Sequence, residues 1–183
     1  MTFEAFIKHV VDTTIDDLIG QMPGIAQWID MRYFREGTFV NFRTTVCKDN
    51  PKCLGYFRES IDGFGITIVL PVLEGIIEDD ARWMANSDWT EHSKFMRLCR
   101  GYDARFTAKV IETIYHEFKH GVDAVMVRAQ GSDYITEYLK EEKKVGYWNN
   151  RFEVAAREQQ KLFERTAKKF FSYDGKLVDY KNM

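Results

Sequence analysis

Cysteine is scarce in this 183-residue chain: Cys47, Cys53 and Cys99 are all it has, an odd number with no CxxC pair. That excludes a disulfide-stapled scaffold and predicts reduced thiols in a cytosolic setting. Cys47 and Cys53 flank the loop KDNPK and can face each other across it, but a second metal site there lacks further ligands. Proline is equally scarce, at three residues, and there are no internal repeats or low-complexity tracts. No linker divides the chain, so one domain over 1–183 is expected. No apolar run is long enough to span a membrane. The N-terminal MTFEAFIKHVVDTTIDDLIG is an amphipathic pattern with acids, not a secretory signal. A basic excess is missing too: 26 Lys and Arg stand against 28 Asp and Glu, a net charge of −2. That argues against a nucleic-acid surface. The one basic cluster, KEEKK at 140–144, is diluted by its own glutamates and reads as a solvated turn.

What is present suits a folded domain. Hydrophobic residues make up 45% and charged residues 30%, and the length is enough for a sizeable core. There are only four histidines, and two of them fall within five residues: His116-Glu117-Phe118-Lys119-His120, an HExxH pattern. At average residue usage this pattern arises by accident in on the order of one chain in a hundred of this length, so context decides. The segment 105–128 repeats apolar residues at Phe106, Val110, Ile114, Phe118, Val122 and Val125, the period of an amphipathic helix, and Asp103 is a candidate cap. Two histidines four apart on a helix share a face, about 6 Å apart along its axis, and can reach one metal ion. The glutamate between them can then take a proton from an attacking water.

Around this helix the pattern predicts an α+β domain, with a short three-stranded sheet packed on the HExxH helix and on a following glutamate-bearing helix. Residues 3–18 form a helix, and 22–35 contain Pro23 and a helical stretch through Trp28. The alternating TFVNFRTTVC at 38–47 is a strand, KDNPK a turn, and 53–58 its partner. FGITIVL at 64–70 is the strongest strand and is ended by Pro71. It is expected at the sheet edge lining a cleft, where an extended peptide can add by main-chain hydrogen bonds, although its continuous apolar character also suits a buried central strand. Shorter helices cover 72–86 and 90–100. After a tyrosine-bearing connection, a helix runs from Phe152 to about Phe171, capped by Asn149 or Asn150. Residues 172–183 form an extended arm.

A catalytic zinc site needs a third protein ligand and one open position. Glu153, in the first turn of the last helix beside the small residue Ala156, is the candidate, though an acid there is equally favoured by the helix dipole. HEFKH followed by the E-x-x-A of Glu153 and Ala156, set in N-x-F-E-x-x-A, resembles the gluzincin metallopeptidases, at the scale of minigluzincins and SprT-like proteins. The resemblance covers about 63–171. It implies zinc on His116, His120 and Glu153, with Glu117 as general base. One departure is Arg157, which stands where thermolysin-like members carry an acid. Glu158 is the fallback ligand. Asp123 lies too far along the helix to join both histidines and is better placed to hydrogen-bond His120. The metzincin pattern is excluded, because no histidine follows His120. For the oxyanion donor that such peptidases use, Tyr147 is the choice, with Tyr134 and Tyr138 also available. His9 and His92 read as surface residues.

The leading expectation is therefore a cytoplasmic zinc metallopeptidase acting on a peptide or protein substrate, with no membrane or nucleic-acid partner. The alternative is a non-enzymatic assembly or interaction protein, such as a virion component, that keeps a zincin scaffold with a structural or vestigial metal site. The aromatic content of 15% and the C-terminal arm suit contacts with protein assembly partners.

Overall fold

A computed structural model describes residues 1–21, 38–60, 63–78, 99 and 101–178. The expected helical stretch at 22–35, most of that at 90–100, His92 and the end of the C-terminal arm lie outside them. The chain opens with α1 (Phe3–Gly20), started by Thr2, whose hydroxyl accepts a hydrogen bond from the Ala5 amide at 3.2 Å. Phe6, Val10, Leu18 and their neighbours at helical spacing are buried on one face. Strands β1 (Thr38–Arg43), β2 (Gly55–Ser60) and β3 (Gly63–Val69) form one mixed sheet in the order β1-β3-β2. β1 runs parallel to β3, and β2 antiparallel to it with Phe57 opposite Ile66.

This order corrects the expected place of FGITIVL. β3 is the central strand, its Ile66, Ile68 and Val69 are fully buried, and β2 is the edge beside the candidate site. The physical reason lies in the pattern itself: a strand covered on both faces is apolar throughout, whereas an edge strand with one wet face alternates. β1 is also shorter than expected and ends at Arg43. Past it, Cys47 and Cys53 do face each other within hydrogen-bonding reach, both as free thiols.

β3 runs directly into α2 (Leu70–Glu78), with Pro71 in the first turn, where its missing N–H has no helical partner to lose. The 28-residue α3 (Tyr102–Ala129) carries HEFKH and is the hub of the fold. It packs against α1, α2, β2, β3 and every later helix. Gly101, at φ 87°, starts it in place of a side-chain cap, so Asp103 is a first-turn acid and not the cap.

The tyrosine-bearing connection is itself a helix, α4 (Tyr134–Val145), capped by Asp133 on the Thr136 amide at 2.8 Å. A 3-10 turn (Tyr147–Asn149) leads to Asn150, whose side chain caps α5 (Arg151–Gln160) through the Phe152 amide at 3.0 Å. The single helix expected to about Phe171 is broken. After Gln160 the bonds tighten to i→i+3 pairs, Phe163 N–H to Gln160 O among them, before the short α6 (Glu164–Ala167). The rewinding turns Phe163, Ala167 and Phe170 into the main core. The arm is not extended as far as Val178. It turns at Gly175 and folds back, with Phe171 paired to Leu177 and Val178 N–H donating to Phe170 O at 2.9 Å.

Candidate metal centre

His116 and His120 sit one turn apart on α3, as their spacing requires, and α5 brings Glu153 against them. His116 Nε2 and His120 Nε2 are 3.2 Å apart. Glu153 Oε2 lies 3.5 Å from the first and Oε1 3.4 Å from the second. Two ligand atoms on a tetrahedral zinc with bonds of about 2.0–2.1 Å stand about 3.3–3.4 Å apart, so these separations are those of one metal's ligand set. Glu153 Oε2 is buried without a hydrogen-bond partner, which is the group a cation would satisfy. Two imidazoles and a carboxylate are a donor set suited to zinc and other divalent transition metals. No other His, Cys, Asp or Glu of the described residues joins the group.

Each ligand is oriented by a second hydrogen bond. His116 Nδ1–H donates to Gln160 Oε1 at 2.9 Å, and Gln160 Nε2 donates to Glu112 Oε1 at 2.8 Å. His120 Nδ1 pairs with the Tyr134 hydroxyl at 2.9 Å, while Phe57 of β2 stacks on its ring at 6.2 Å. Tyr138 O–H donates to Glu153 Oε1 at 2.6 Å. The expected bond from Asp123 to His120 is absent: Asp123 pairs with Lys119, and Tyr134 has taken its place. Glu158 is exposed and paired with Lys161 at 2.6 Å, because five residues along a helix turns it away from Glu153's face. Arg157 points back toward Glu153, 4.0 Å from Oε2, with its guanidinium over the Trp148 ring. Exposed His9 lies outside the site.

Burial sets the electrostatics. Glu117 is only 7% exposed, and its carboxyl is pushed up to about 7, chiefly by burial and further by Glu153, against the pull of His116 and of the Phe57 backbone N–H. His120 is held down at about 3 by burial and by the neighbouring His116. Burial also acts to raise Glu153, but its contact with His116, the His120 charge and the Tyr138 hydroxyl outweigh it and hold it at about 2. Burial likewise opposes charge on His116, yet Glu153 and Glu117 raise it above the ordinary value.

Tyr147 is 44% exposed, and burial and the Glu153 carboxylate raise its hydroxyl well above the usual tyrosine value, so it remains a donor at neutral pH. Gln160 was not legible as a site residue, and Tyr134 and Tyr138, expected only as alternative oxyanion donors, instead hold His120 and Glu153. The available signals were a polar residue on the apolar stripe between Ala156 and Phe163, and two tyrosines four apart behind an Asp cap. No family model, curated protein or solved structure matches the chain. Among the described residues no helix is long and apolar enough to cross a membrane.

Proposed function

We propose that this protein is a zinc-dependent hydrolase of peptide bonds. The observation that carries the reading is the three-residue His116, His120 and Glu153 cluster beside the buried acid Glu117. Zinc bound there would supply a Lewis acid for a scissile carbonyl and lower the pKa of an attacking water. Glu117, titrating near neutrality, is partly ionised at pH 7, takes the proton at its carboxylate and returns it to the leaving amine. The β2 backbone holds it in place through Phe57 N–H. The Tyr147 hydroxyl donates to the developing oxyanion. His116, whose side chain is 13% exposed, is the ligand most open to solvent and marks the side from which substrate enters.

The test is a time course on denatured casein with zinc content measured in parallel. Glu117→Gln keeps the side-chain length and loses the base. The expected outcome is retained zinc and a loss of cleavage of about a hundredfold or more. Equal cleavage by both zinc-loaded proteins would exclude Glu117 as the base. A second reading, a metal-braced assembly protein, draws on the exposed Trp148, Ile135 and Leu139. It is distinguished by wild type that holds zinc and cleaves nothing across a broad peptide library.

A further inference from the structure

One buried chain of polar groups near the centre does no chemistry in this scheme. Lys109, Glu112 and Gln160 are each under a tenth exposed, and buried polar groups of this kind are costly unless each is satisfied. Glu112 lies one turn before His116 on α3, and Gln160 reaches in from α5 to bridge the two. Lys109 pairs with Glu112 Oε2, so Glu112 is a carboxylate and can only accept hydrogen bonds. Gln160 must therefore turn its –NH2 to Glu112, at 2.8 Å, and its carbonyl to His116, at 2.9 Å. A carbonyl can only accept, so His116 carries hydrogen on Nδ1. Its lone pair, when the ring is neutral, is then confined to Nε2, the atom that faces Glu153 and His120.

We propose that Lys109, Glu112 and Gln160 are positioning residues, a relay in which an ion pair at one end selects the metal-binding nitrogen of His116 at the other. The inference rests on the reading of His116, His120 and Glu153 as a metal centre. It also accounts for Arg157: the residue four after Glu153 has no acid to offer His116, and Gln160, seven after Glu153 and on the same face of α5, supplies the acceptor. A neutral amide on Nδ1 donates less electron density to the ring than a carboxylate does, which leaves a bound metal more electrophilic.

Gln160→Met keeps the volume and removes both hydrogen bonds. The exchanged pair Glu112→Gln with Gln160→Glu keeps the net charge and the hydrogen-bond pattern, but moves the carboxylate from Lys109 to a place directly on His116. Two readouts apply: zinc affinity by chelator competition, and ring nitrogen NMR of metal-free protein at a pH above the His116 titration. Wild type should show hydrogen on Nδ1. Gln160→Met should bind zinc about 10- to 100-fold more weakly and show a mixture of tautomers. The exchanged pair should keep the Nδ1 proton and bind zinc at least as tightly as wild type, and it carries the test if Gln160→Met does not fold. Zinc affinity within about twofold of wild type in folded Gln160→Met overturns the relay, as does an exchanged pair that binds weakly. A wild type that takes up no zinc overturns the metal centre and the proposal with it. A zinc-binding wild type whose metal-free His116 holds its proton on Nε2 overturns the relay alone.

Discussion

Glu117 shows how a buried carboxyl burdens a fold. Its folded value of about 7 lies above the ordinary 4.5, so the folded state holds a proton that the unfolded chain has lost between those values. Stability from this group is full below about pH 4.5 and is lost as pH rises through 7. The loss approaches about 3 kcal/mol in the metal-free protein. Glu117→Gln has no such titration and should become the more stable of the two at pH 8. Urea melts in chelator at pH 5 and pH 8 measure this, and equal pH slopes for the two proteins would count against a raised Glu117. His116 makes the complementary prediction. Its raised value means that a metal displaces the ring proton less readily than from an ordinary histidine. Zinc affinity should increase with pH until the ring is neutral, with proton release at pH 7 visible as a buffer-dependent heat of binding. A heat independent of buffer ionisation would show His116 already neutral.

At the scale of elements, the site depends on how closely β2 approaches α3. Gly55 opens β2, and a Cβ there would lie 2.8 Å from Thr113 Cγ2 and 3.2 Å from Glu117 Oε1. Thr113 cannot swing aside freely, because its hydroxyl donates to Lys109 O at 2.8 Å and sets its rotamer. Gly55→Ala should therefore push the start of β2 off α3, at a cost of about 1–3 kcal/mol by overpacking. It should also disturb the Phe57 N–H that holds Glu117. Thermal melts and the pH profile of cleavage together test this; an unchanged melting temperature would show that the strand moves freely. The neighbouring thiol reports on the same junction. Cys53, pushed up to about 12 by burial and by Cys47 and Glu117, donates S–H to Gly55 O at 2.9 Å. It should alkylate far more slowly at pH 8 than a cysteine in an unfolded peptide, and fast labelling would mean that the junction opens.

Across the molecule, apolar packing is uneven. The main core joins α1, β3, α2, most of α3 and the residues after α5. Around the candidate metal site, the buried cluster among the described residues is small, made of Ala124, Val127, Tyr134 and Phe152 with Phe57 and Tyr138 against it. A metal bridging α3 and α5 there would add its binding free energy to folding. At saturating zinc this is about 4 kcal/mol for a thousandfold excess over the dissociation constant, or roughly 10 °C in melting temperature for a chain of this size. Chelator should lower the melting temperature by that order, and His120→Ala should be insensitive to it. Wild type unaffected by chelator, with metal removal confirmed by elemental analysis, would mean that the site does not brace the fold.

Local pattern alone was enough for the α3 period, the HEFKH face and the α1 stripe, because each depends on neighbours three to four residues away on one helix, and it narrowed the α5 cap to Asn149 or Asn150. It also named the histidine pair and Glu153. It could not choose between Glu153 and Glu158, or set Tyr134 rather than Asp123 on His120. Those outcomes turn on the rotation of α5 and the placement of α4 against α3, which arise from packing between segments distant in the chain. The same holds for β3, whose apolar run fits an edge or a centre until β1 pairs alongside it. Gln160 is the clearest case. In sequence it is one polar residue on an apolar stripe, and only the approach of α5 to α3 puts it between Glu112 and His116, where a buried acceptor and a ring N–H both need a partner.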